Sequence, residues 1–183
     1  MANLIRRGEY FHANVVDQPG AAYELLSALG VAAAESAQVD VRALVGEFQV
    51  ALFGLGSYLA TPDAERRAKT GIAPPADAAV DALEAAIDRF EGELPPLKRF
   101  ILPGGTRAAA SLHHARTVGR RGERRCVSLH RHEALAPSAL RYLNRLSDLL
   151  FVLARLENKR AGVPDVEWAG LGCPPRSGVR QTL

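Results

Sequence analysis

Arg116-Thr-Val-Gly-Arg120-Arg121-Gly-Glu123-Arg124-Arg125 sets five arginines and one acid into ten residues of an otherwise apolar pattern with helical period. At about 100° per residue, Arg116, Arg120 and Arg124 fall in one i, i+4, i+8 row with Glu123 beside it, and Arg121 and Arg125 form a neighbouring row. Like charges at that spacing repel, so the row lowers helix stability unless something negative sits over it. The planar guanidinium grips phosphate or carboxylate through two parallel N–H bonds, and a row of them suits a polyphosphate. The same row also fits a basic face left in solvent and partly neutralised by Glu123, and spacing alone leaves both readings open.

Outward from this stretch the helical period dominates and strand signals are nearly absent. A first helix is predicted from about Ala21 to Glu35, apolar at Leu25, Leu26, Leu29 and Val31. A second runs from about Val39 to Leu59 and turns Leu44, Phe48, Ala51, Leu52 and Leu55 inward, stopping before Thr61-Pro62. A polar, proline-bearing linker follows through Pro75, and Asp77 is placed to cap a third helix that ends near Glu91. Phe100 to Gly105 reads as an extended connector, because a proline and two glycines oppose helix there. A fourth helix, capped by Thr106, extends to about His132; a fifth, with Pro137 in its first turn, extends to about Arg160. Leu143, Leu146, Leu150 and Leu153 mark the buried stripe of that last helix. Gly162 to Leu183, rich in Gly and Pro, reads as a tail or strap. Five helices with short or medium connections predict an all-α, up-and-down bundle in a single domain spanning residues 1–183.

Composition agrees with that class. In 183 residues, 48% hydrophobic content suffices for a core, and only 6% is aromatic, so helices pack closely on Ala, Leu and Val. The net charge of +3 is modest, and lysine occurs only at Lys69, Lys98 and Lys159. Cys126 and Cys173 are too few for a disulfide framework and read as reduced thiols, which predicts a cytoplasmic protein. No apolar run approaches the ~20 residues a membrane span requires. His113 and His114 point about 100° apart, and His130 and His132 about 200° apart, which argues against shared metal ligation. The arginines lack interleaved stacking aromatics, which argues against a nucleic-acid partner.

Three segments in order carry a resemblance. Phe100-Ile-Leu-Pro-Gly-Gly105, then Ser111-Leu-His113-His-Ala-Arg116 running on through Arg125, then Tyr142-Leu-Asn144-Arg-Leu-Ser-Asp148-Leu-Leu-Phe-Val-Leu-Ala-Arg155 resemble the signature of the PduO-type ATP:cob(I)alamin adenosyltransferases. Weaker likeness continues through Phe53 to Pro62 and Leu83 to Asp88, so the resemblance covers the chain from about Gly20 to Arg160. It implies a helical bundle assembled as a homotrimer with sites between subunits, binding Mg-ATP and cobalamin. In that chemistry cob(I)alamin attacks the ribose 5′ carbon and triphosphate leaves.

The resemblance also implies roles. Arg116 and Arg120 become the catalytic candidates, with the Arg120 row stabilising the departing charge. Arg120, Arg121, Glu123, Arg124, Asn144 and Asp148 become nucleotide-site candidates, Asn144 touching the nucleotide, Asp148 holding an arginine of the fourth helix, and Glu123 orienting Arg120 or Arg124. By chemistry alone, Asn144 and Asp148 also fit hydrogen bonding at the edge of a leucine seam. Phe100 matches the aromatic that lies under the corrin ring and keeps a lower ligand off cobalt; read by itself it also fits a core plug. His113 matches a family position, whereas His114 stands where an apolar residue is usual.

The amino end departs from the pattern. Residues 1–19 do not spell the family's Thr-x-Thr-Gly-Asp-x-Gly-x-Thr nucleotide loop, and in Gly20-Ala-Ala-Tyr23-Glu24-Leu25 the family's aspartate is Tyr23. That aspartate pairs with the arginine matching Arg116, so Arg116 is expected to lack its counter-ion. The expectation is weakened adenosyl transfer, with two alternatives: a repurposed or relic pocket for another small anionic ligand, and a corrinoid-binding module without turnover.

Overall fold

The computed structural model describes residues 17–170. Its long helices are α1 (Asp17–Glu35), α2 (Val39–Leu59), α4 (Asp77–Glu91), α5 (Arg107–His130) and α6 (Pro137–Arg160). They are joined by a short helix, α3 (Ala64–Thr70), and by two-residue strands β1 (Ile101–Leu102) and β2 (Val166–Glu167). α1 packs between α2 and α5, α5 between α1 and α6, and α6 between α5 and α4. The five-helix bundle expected from the period is the observed architecture, and among the described residues no helix is long and apolar enough to cross a membrane.

The core follows the apolar stripes. Leu25, Leu29, Phe48, Leu52, Leu55, Leu112, Leu146, Leu150 and Leu153 are all buried in one cluster. Full burial of such side chains contributes about 1.5–3 kcal/mol each. Thr106 caps α5 by accepting from the Ala109 N–H (3.1 Å), and Pro137 occupies the first turn of α6 where its missing N–H costs nothing.

Several local expectations are corrected. The linker holds a helix, α3, because Asp63 accepts from the N–H groups of Glu65 and Arg66 (2.9 and 3.2 Å) and Gly71 closes its end at φ 68°. α1 begins earlier than Ala21, at Asp17, with Pro19 in its first turn. Val31, one of the apolar positions of the first helix, lies outside the core and is exposed. Asp77 lies inside the first turn of α4 and bonds Arg141 (2.6 Å) instead of capping the helix. β1 and β2 pair antiparallel, so the chain beyond Gly162 returns as a strap on the Phe100 connector. The amino-terminal departure through residue 16 and the tail from residue 171, with Cys173, lie outside the described residues.

Candidate functional site along the α5–α6 seam

α5 and α6 are antiparallel neighbours joined by a short turn, so residues advancing along one meet residues receding along the other. Glu123 lies opposite Asn144, whose side-chain amide donates to its Oε1 (3.0 Å). Arg116 lies opposite Phe151, its guanidinium 5.2 Å from the ring centre. Thr106, just before α5, lies opposite Asn158, whose Oδ1 accepts from the Thr106 N–H (2.9 Å). The polar strip from Asn144 to Asn158 therefore runs for about 21 Å along α6, at 1.5 Å per residue.

At one end Glu123 holds two candidates at once. Its Oε2 accepts from Arg120 and its Oε1 from Asn144, so a largely buried carboxylate fixes both side chains. Of the two arginines expected against Glu123, Arg120 is the one it contacts. Arg121 leaves this seam and pairs with Glu24 on α1. It lies at the edge of an open groove of about 590 Å³ between α1 and α5, lined also by Tyr23, Ala28, Val31 and His114. Arg124 is exposed, and the arginines of α5 divide between two faces, Arg116 and Arg120 toward α6 and Arg121 toward α1. Asp148 accepts from Arg145 on its own helix (3.1 Å), where an arginine of α5 was expected. Arg145 also reaches Glu84 of α4 (3.4 Å).

Midway, Arg116 Nε is buried without a hydrogen-bond partner, as is Nε2 of His113 one turn away. Tyr23, which the resemblance sets at the position of the family's aspartate, packs its ring edge-on against Phe53 on α2. A buried donor left unmade costs about 1–3 kcal/mol, so Arg116 is poised to gain from any acceptor brought to it. His113 also packs against Phe151 (5.9 Å between ring centres), and burial, assisted by the Arg116 cation, pushes its pKa below the usual imidazole range, while Asp165 pulls it back up. The neutral imidazole is the form this pocket favours.

Phe100 is at the far end and is 77% exposed. The core-plug reading is therefore overturned: the ring is presented outward on a connector whose backbone is fixed. Its only described ring neighbour is Trp168, which sequence reasoning missed, as it did Phe151 and Arg145. Phe151 and Arg145 lay within a quoted segment, but only the helix register singles them out; Trp168 carried no local signal. Among the described residues no group of three or more His, Cys, Asp or Glu side chains is placed to hold a metal ion.

A helical bundle with an arginine-bearing seam and an outward aromatic at its end defines a class that comparison with known proteins identifies. The cobalamin adenosyltransferase family model matches residues 12–157, and the chain belongs to that family. Within it, the chain is 43% identical over 157 residues to the corrinoid adenosyltransferase of Bacillus subtilis, covering 84% of this chain and 79% of that protein. It is 41% identical over 152 residues to a corrinoid adenosyltransferase of Citrobacter freundii, covering 82% and 83%. Among solved structures, a variant of the PduO-type ATP:corrinoid adenosyltransferase from Lactobacillus reuteri, complexed with cobalamin and ATP, superposes with a TM-score of 0.81 at 34% identity, covering 87% of this chain and 88% of that one.

Proposed function

We propose that this chain transfers the adenosyl group of ATP to cob(I)alamin. The cobalt nucleophile attacks the ribose 5′ carbon, the cobalt–carbon bond forms as the 5′ carbon–oxygen bond breaks, and triphosphate departs with the electron pair. The observation that carries this reading is the pairing of an arginine seam, where Glu123 holds both Arg120 and Asn144, with the outward ring of Phe100 on the connector that leads into α5.

Each residue then has a task. Arg120 and Arg116 meet the charge that develops on triphosphate, and fixed donors of this kind are worth most where charge appears in the transition state. Glu123 keeps Arg120 in place, Asn144 stands beside the nucleotide, and Arg121, Arg124 and Asp148 contribute to the charged rim. Mg²⁺ enters on the phosphates of ATP. Phe100 faces the corrin plane and excludes a lower ligand from cobalt. The family's aspartate is Tyr23 here, and a buried, unpartnered Arg116 Nε fits a slower enzyme. The working form is a homotrimer, supported by the exposed apolar side chains Val31, Val50 and Phe53 on α1 and α2. Cys126, a buried free thiol, fits a reducing cytoplasm.

The test is conversion of cob(I)alamin and ATP to adenosylcobalamin, followed by absorbance under strict reduction. Slow but definite turnover, well below about 1 s⁻¹, is expected, an ordinary enzyme working at or above that rate. Corrinoid binding with no product at any ATP concentration would leave a binding module in place of an enzyme.

A further inference from the structure

The strap that follows α6 is tied to the Phe100 connector by more bonds than its length requires. Arg155, buried near the end of α6, donates from Nε to Asp165 Oδ2 (3.0 Å) and from Nη2 to the Pro95 carbonyl (2.9 Å). Asn158, also buried, donates to Asp165 Oδ1 (3.2 Å) and to the Gly104 carbonyl (3.1 Å) while accepting from Thr106. Gly105 sits at φ +102°, and a Cβ there would overlap the Asn158 amide. One cluster thus anchors the strap and the connector at the same point.

From that anchor the two segments run on as β1 and β2, with Ile101 opposite Glu167 and Leu102 opposite Val166. The ladder ends with the Trp168 N–H donating to the Phe100 carbonyl (2.7 Å). Across this bond the two rings meet edge to face, 6.4 Å apart at 61°. Phe100 is 77% and Trp168 46% exposed, so the pair stands out from the fold with its faces open. The ladder fixes the Phe100 backbone, and an exposed ring with one aromatic neighbour has its rotamer set chiefly by that neighbour.

We propose that Trp168 is a positioning residue for the corrinoid half of the reaction, bracing the Phe100 ring through an edge-to-face contact so that it meets the flat apolar face of the corrin. This rests on the reading that Phe100 faces the corrinoid. ATP, held by the arginine seam, is independent of the brace.

The experiment compares Trp168→Ala and Trp168→Phe with the parent chain. Trp168→Ala is expected to raise KM for cob(I)alamin about fivefold to tenfold, the effect of one lost aromatic pair, with KM for ATP unchanged within about twofold. Trp168→Phe restores most of the loss, because a smaller ring still offers its edge or face. Trp168 is the chain's single tryptophan, so its emission reads the contact without turnover: Phe100→Ala is expected to shift the emission maximum with little change in Tm. A parent chain that makes no adenosylcobalamin sinks the functional reading, while the emission shift still tests the brace. An active parent with Trp168→Ala kinetics equal to it, or with both KM values raised together and no rescue by Trp168→Phe, overturns the inference alone.

Discussion

His113 is the residue at which burial has the clearest measurable consequence. Its ring is 3% exposed, Nε2 has no partner, and Arg116 and Asp165 are the charged groups acting on it. Burial and Arg116 lower its pKa in the fold, so at acid pH the unfolded chain binds the extra proton more readily. The contribution is fully present above the ordinary value of about 6.5 and is lost as pH falls through and below it. Thermal unfolding followed from pH 7.5 to pH 5 is expected to show a falling Tm, and His113→Gln is expected to flatten that slope. A slope unchanged by the substitution would place the titrating group elsewhere.

At the scale of elements, α5 is a helix with two uses. Its inner stripe of Ala109, Leu112, Ala115, Val118 and Cys126 belongs to the core, and burial raises the Cys126 thiol to about 11, keeping it protonated at neutral pH. Its arginines stand on the remaining surface and divide between the α1 groove and the α6 seam. On the seam, Arg120→Ala is expected to weaken tripolyphosphate binding about tenfold or more, since a charge-assisted contact contributes about 1.5–3 kcal/mol. Isothermal calorimetry at low salt reads this directly. If the parent chain binds no tripolyphosphate, the row is a solvated face and the seam is not a phosphate site. Arg107→Ala, at the exposed start of α5, is the informative control because it removes equal charge from the same helix.

On the scale of the whole molecule, the bundle leaves apolar side chains outside its core. Val31, Val50, Phe53 and Tyr23 are exposed on α1 and α2, and Tyr23 lines the groove beside Arg121. A homotrimer would cover such a face, so sedimentation at micromolar concentration is expected to give about three times the 19.7 kDa chain mass. A monomer would remove the basis for sites between subunits. It would also leave Arg116 without a neighbouring chain as a source of acceptors.

The sequence by itself determined the helices, since spacing of Leu, Ala and Val at helical period requires only that each stripe be buried. It also determined the Thr106 cap of α5 and the place of Pro137 in the first turn of α6, whose chemistry is local. α3 was legible in Asp63 and Gly71 but was hidden by the polar composition around it. The family motifs led one to expect Arg120, Glu123 and Asn144 near one another, yet the bond from Asn144 to Glu123 follows from the register of α5 on α6. Only tertiary structure decided that Phe100 faces out, that Asp148 turns to Arg145, and that Trp168 meets Phe100. Those contacts join segments far apart in the chain, and packing fixes them through distances that no local pattern of residues encodes.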